Sequence, residues 1–108
     1  IAGGRDYAFS EADIQFLSSI LSNISEVVCG GASGADSEGK AWAEENGIPV
    51  KLFKADWKKH GRGAGPRRNA MMAEYADSLI LFTGGRGSAS MFKEADKKGL
   101  KIFDLRAD

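Results

Sequence analysis

Four short apolar runs, EVVC (26–29), IPVKLF (48–53), SLILFT (78–83) and LKIFDL (100–105), take turns with segments of helical spacing. Few folds are open to a chain written this way. Three of the runs are rich in branched aliphatics and aromatics with little alternation, the pattern of strands covered on both faces. A fifth run, IA (1–2), is only two residues long and starts at Ile1, which leaves open whether further residues precede it. The first helical segment, SEADIQFLSSILSN, opens with Ser10 as N-cap and Asp13 three residues on, and sets Ile14, Leu17, Ile20 or Leu21 and Ile24 on one stripe. The second runs from about Asp36 to Asn46 and stops at Gly47. The third starts at Pro66, with Met71, Met72, Tyr75 and Ala76 as its apolar side. The fourth, SASMFKEADKK, ends at Gly99. Strand, helix, strand in repetition predicts an α/β fold, a Rossmann-like three-layer sandwich around a mostly parallel five-stranded sheet. The 108 residues suit a single domain, 1–108.

In such a fold, ligands bind beyond the carboxyl ends of the strands. Eleven of the 14 glycines fall in the loops that follow strands, in AGGRDY, CGGASGAD, HGRGAGPRRN and TGGRGS. Loops at the opposite edge hold almost none, so turn-making alone does not explain the bias. Glycine lets backbone N–H groups approach an anion, and a helix N-terminus adds free donors and a favourable dipole. Arginine follows the same distribution: Arg5, Arg62, Arg67, Arg68 and Arg86 sit in or just after these loops. A guanidinium binds phosphate with two parallel hydrogen bonds where lysine offers a point charge. Arg62, Arg67 and Arg86 are equally well read as solvated charges. Arg68 stands apart because a cation at a helix start opposes the dipole unless an anion is near. Asp36 reads as the cap of the second helix or as a ribose contact. Trp57 reads as a loop anchor or as a base-stacking ring.

Lysine plus arginine number 15 and aspartate plus glutamate 15, so no global attraction draws the chain to nucleic acid or an acidic membrane. A lone cysteine, Cys29, and a lone histidine, His60, argue against a disulfide framework and a His/Cys metal site, and no cofactor is implied. The reading is of a cytoplasmic protein in a reducing compartment. No apolar stretch approaches the ~18 residues of a membrane span.

The stretches AGGRDY, GGASGAD running into a helix with Ala41 and Trp42, IPVKLFKADWKKHGRGAGPRRNAMM and GGRGSASMFKEADKKG together resemble the SLOG superfamily. This Rossmann-like group joins the DNA-processing protein A fold to the LONELY GUY phosphoribohydrolases. The likeness is closest to the small branch related to YspA, often carried by phages and mobile elements. It implies a nucleotide-type pocket lined by Gly4 and Arg5, by Gly30, Gly31 and Gly34, by Arg68 and Asn69, and by Gly85, Gly87 and Ser88; Gly84, Ser33, Asp36 and Trp57 complete the candidate ligand set. Ser33 stands where relatives often carry a basic residue. Aligned to the GG-x-G-T-x-x-E motif of the phosphoribohydrolases, GGRGSASM puts Ser88 at the threonine and Met91 at the catalytic glutamate, with Glu94 one helical turn beyond. The leading expectation is therefore a binding module for a nucleotide or nucleotide-derived metabolite, acting as sensor, carrier or sequestering protein. The alternative is an N-glycosidic hydrolase of nucleoside monophosphates using Glu94 or Asp36. Single-stranded DNA binding is a third reading, disfavoured by the neutral charge and the two tryptophans. Relatives suggest a homodimer.

Overall fold

The computed structural model describes residues 1–31 and 34–106. Helix α1 (Glu11–Ser19) starts at the expected cap: Ser10 Oγ accepts from the Asp13 N–H at 3.1 Å, and the Asp13 carboxylate accepts from the Ser10 N–H at 2.9 Å. This reciprocal box satisfies two of the donors a helix start leaves over. Strand β1 (Val27–Cys29) then leads to α2 (Ala35–Glu45), and β2 (Val50–Leu52) to a single-turn helix α3 (Trp57–His60). A 3-10 turn, Gly61–Gly63, joins α3 to α4 (Ala64–Tyr75). Strand β3 (Ser78–Leu81), α5 (Arg86–Lys97) and β4 (Lys101–Asp104) follow.

The strands are parallel, as expected, but the five-stranded sheet is not formed. β1 pairs with β2, from Val27 opposite Val50 to Cys29 opposite Leu52, and β3 pairs with β4, from Ser78 opposite Lys101 to Leu81 opposite Asp104. Residues 1–4 make one isolated bridge, Ala2 to Leu81, instead of a fifth strand. On the β3 side this segment is well bonded, with Ala2 N–H donating to Ile80 O at 3.0 Å and Phe82 N–H to Ala2 O at 2.8 Å. Toward β1 the amino group of Ile1 reaches Val28 O at 3.3 Å, a contact too slight to make a ladder.

Side chains of β3 and the residue after it alternate between two cores. Ile80 and Phe82 pack with Leu17, Ala35, Trp42 and Ala43 of α1 and α2. Leu79 and Leu81 pack with Met72, Ala73, Met91 and Ala95 of α4 and α5. The period of two thus places helices on both faces of this strand. β2 and β4 lie at the margins and are partly exposed.

Three details depart from the sequence reading. α4 begins at Ala64, two residues before Pro66, and its buried face is Asn69, Met72 and Ala73; Met71 and Tyr75 point outward at 56% and 49% exposure. Tyr75 is held there by its hydroxyl, which donates to the Glu26 carboxylate, and by its ring against Phe53. α5 begins at Arg86, so TGGRGS runs directly into the first turn of a helix. The helical turns across Trp57–Gly63 form where the sequence reads as loop: Asp56 accepts from the Lys59 N–H at 3.1 Å, and this cap starts α3.

Candidate functional site

The loops that leave β1, β2, β3 and the Ile1–Gly4 segment converge on one cleft of about 900 Å³. Gly4 and Arg5 contribute from the first loop, Gly30, Gly31 and Asp36 from the second. Trp57 stands on the β2 side, Arg68 and Asn69 come from α4, and Gly85, Gly87 and Ser88 from the start of α5. Eleven of the residues expected from the sequence to meet a ligand are therefore brought together. Gly34 and Gly84 are not on the cleft surface, and Ser33 lies outside the described residues.

The two glycines behind the surface explain how the loops keep their places. Gly34 has φ +73°, and a Cβ there would lie 2.1 Å from Gly4 O and 2.4 Å from the Arg5 carbonyl carbon. Ala35 N–H donates to the same Gly4 oxygen at 3.1 Å, so the start of α2 is pressed onto the first loop. A Cβ on Gly84 would meet Gly4 N at 2.6 Å and Ser88 Oγ at 2.1 Å. Gly4 N–H also donates to Thr83 O at 2.9 Å. Backbone replaces side chain at both positions, and three loops become one unit.

Arg68 and Asn69 tie α4 to both walls. Arg68 Nη1 donates to Gly30 O at 2.9 Å, across 38 residues of chain. Asn69, 5% exposed, donates through Nδ2 to Ser90 Oγ at 3.2 Å and, at the long limit of 3.5 Å, to Gly87 O. Arg68 is thus five residues into a helix with a partner of its own, which corrects the reading of an uncompensated cation at a helix start. Asp36 is likewise not the cap of α2: that position is Gly34, without a side-chain bond, and Asp36 lies in the first turn, where a negative charge suits the dipole. α5 also starts without a side-chain cap, at Gly85.

Two polar atoms of this wall are buried and have no hydrogen-bond partner among the described residues: Arg68 Nε and Ser88 Oγ. The charge of the lining is one-sided, Arg5, Lys54, Arg62, Arg68 and Arg86 against Asp36. Lys54 escaped the sequence reading, although it follows β2 as the glycine-rich loops follow the other strands. Arg67 is not on the cleft, nor are Gly61 and Gly63. Met91, aligned with a catalytic glutamate in the phosphoribohydrolases, lines the cleft at 4% exposure. Glu94 does not reach the lining; its carboxylate lies 3.8 Å from Lys97 Nζ.

Parallel strands whose carboxyl-end loops close on one basic, glycine-lined cleft define an α/β domain with its candidate site where such folds place theirs. The chain belongs to the YspA, cpYpsA-related SLOG family, whose model matches residues 1–60. Membership brings the Rossmann-like class with it, here with two strand pairs in place of one broad sheet. The chain is also similar to the Gene 61 protein of Mycobacterium phage D29, 37% identical over 87 residues that span 73% of this chain and 70% of the phage protein. A relative is therefore carried by a phage. No solved structure matches the chain. Among the described residues, no helix is long and apolar enough to cross a membrane.

Proposed function

We propose that the cleft binds a nucleotide or nucleotide-derived metabolite by its phosphate, and that the protein acts as a sensor, carrier or sequestering module. The observation that carries this reading is the pair of unpartnered buried donors, Arg68 Nε and Ser88 Oγ, on one cationic wall. A buried polar atom left without a partner costs about 1–3 kcal/mol, and a small movement of either side chain toward an oxyanion in the cleft supplies one. The uncapped start of α5 beside Ser88 adds backbone donors and a favourable dipole. A cleft of about 900 Å³ accommodates a mononucleotide or a larger derivative.

Thermal melts with adenine, guanine and uracil nucleoside monophosphates, ADP-ribose and inorganic sulfate test the reading. A ligand that binds only the native state stabilises it by about 2.7 kcal/mol at 100 times Kd. We expect a concentration-dependent rise in Tm with at least one phosphorylated nucleoside. A rise with sulfate and with no nucleotide reduces the cleft to a generic anion site.

One observation supports a second reading, hydrolysis of the N-glycosidic bond: Asp36 is a carboxylate on the cleft. Met91 at the aligned catalytic position and Glu94 outside the lining weigh against it, since cleavage needs a carboxylate beside the reacting sugar.

A further inference from the structure

The two tryptophans of the chain are treated differently by the fold. Trp42 is 6% exposed in the core, while Trp57 is 53% exposed on the lip of the cleft. An indole left in water forgoes much of its burial free energy, and here it is held in that position by construction. Trp57 is the first residue of α3, a turn fixed by its Asp56 cap. Its Cη2 lies 3.4 Å from where a Cβ on Gly65 would stand, so one ring edge rests on the bare backbone of α4's first turn. More than half of the residue stays exposed, and it lines the cleft. The cleft that Trp57 lines also carries the cations Arg5, Lys54, Arg62, Arg68 and Arg86. That chemistry suits a planar, electron-rich ring attached to a negative charge better than an aliphatic ligand.

We propose that Trp57 is the base-stacking platform of the cleft: the base lies on the indole at the β2–α3 lip, and the phosphate lies across the floor at Gly85–Ser88. This rests on the nucleotide reading and adds to it the orientation of the ligand and the residue that distinguishes a nucleotide from a sugar phosphate. Stacking is tolerant of base identity because every base has a π face, so Trp57 selects for the presence of a base, and edge contacts elsewhere choose which one.

The test is calorimetric titration of wild type, Trp57→Phe and Trp57→Leu with AMP, GMP, UMP and ribose 5-phosphate. Wild type should prefer a nucleotide over ribose 5-phosphate. In Trp57→Leu that preference should collapse through a roughly 5- to 150-fold loss of nucleotide affinity, and Trp57→Phe should keep most of it. Fluorescence gives a readout that needs no variant. Acrylamide reaches Trp57 and not Trp42, so nucleotides should shield or quench the accessible emission while ribose 5-phosphate leaves it unchanged. Nucleotide binding with unaltered emission, or with full preference retained in Trp57→Leu, overturns the stacking role and leaves the cleft reading intact. Binding of ribose 5-phosphate with no gain from any base overturns both. Tighter binding of oligothymidylate than of any mononucleotide overturns the proposal in favour of single-stranded DNA.

Discussion

Arg68 ties α4 to the loop after β1 with one guanidinium, and this structural role can be separated by substitution from the ligand contact proposed for it. Arg68→Ala removes a charged donor from the Gly30 carbonyl, so urea unfolding of the apo protein should show a loss of about 1.5–3 kcal/mol, together with weaker binding of whichever nucleotide raises Tm. Lysine should restore only part of either, because it lacks the planar fork. Gly30→Ala divides the effects differently. The new Cβ would stand 2.8 Å from Arg68 Nη1 and 3.0 Å from its Cδ, side chain rather than backbone, so the arginine shifts as a whole: affinity should fall while stability falls less than in Arg68→Ala. Equal stability losses in the two variants would show that the Gly30 loop itself cannot relax. The sequence singled out Arg68 by residue type and place, yet nothing in it marked Gly30 O as the partner. A backbone carbonyl has no letter, and a contact across 38 residues leaves no local pattern.

At the scale of elements, local chemistry written in neighbouring residues was legible and long-range bonding was not. The capping box of α1, and the glycines Gly47 and Gly99 beyond α2 and α5 with φ +70° and +71°, stand where the sequence places them. The outward turn of Tyr75 depends on Phe53 and Glu26, far away in sequence, and could not be read from spacing within α4. The fifth strand failed for a similar reason, since Ile1–Gly4 makes only an isolated bridge to Leu81 on one side and a single long contact to Val28 O on the other. The α1 box carries its own prediction: Ser10→Ala should cost about 1 kcal/mol in urea unfolding. It also carries a pH dependence. Burial pushes the Asp13 carboxyl up, but hydrogen bonds from Tyr7, whose hydroxyl donates at 2.5 Å, and from Ser10 outweigh it, and the carboxyl is held below its ordinary range. Its contribution to stability is full above about pH 4 and is lost as pH falls through the lowered value. Burial first, and then the same bond to Asp13, push the Tyr7 hydroxyl up to about 12. Its contribution is full below about pH 10 and disappears as pH rises from there toward the raised value. The urea midpoint of wild type should therefore fall at both extremes, and that of Tyr7→Phe should fall less at the alkaline end; equal alkaline losses would remove Tyr7 from the account.

For the whole molecule, the question is whether a cleft of this construction turns its ligand over. The wall that would supply a glycosidase carboxylate presents Met91, and Glu94 is directed to Lys97. Nucleoside monophosphates incubated with the protein and followed by chromatography should release no free base above control, even where they bind. Turnover lost in Asp36→Asn and in Arg68→Ala would establish the hydrolase instead and assign its carboxylate to α2.

The glycines behind the cleft set limits of another kind. Gly34→Ala combines a left-handed backbone with a clash against main chain and should cost more than about 3 kcal/mol, whereas Gly47→Ala, with open space around it, should cost about 1 kcal/mol. Variation among descendants of this chain is then channelled. Gly34 and Gly84, behind the cleft surface, where loops interlock without side chains, admit almost no change, while Lys54, Trp57, Arg62 and Arg86 on the lining take no part in that interlock. If the proposed anion site holds, a descendant can therefore change what it recognises by redrawing the exposed lining alone, with the interlocked loops behind it left as they are.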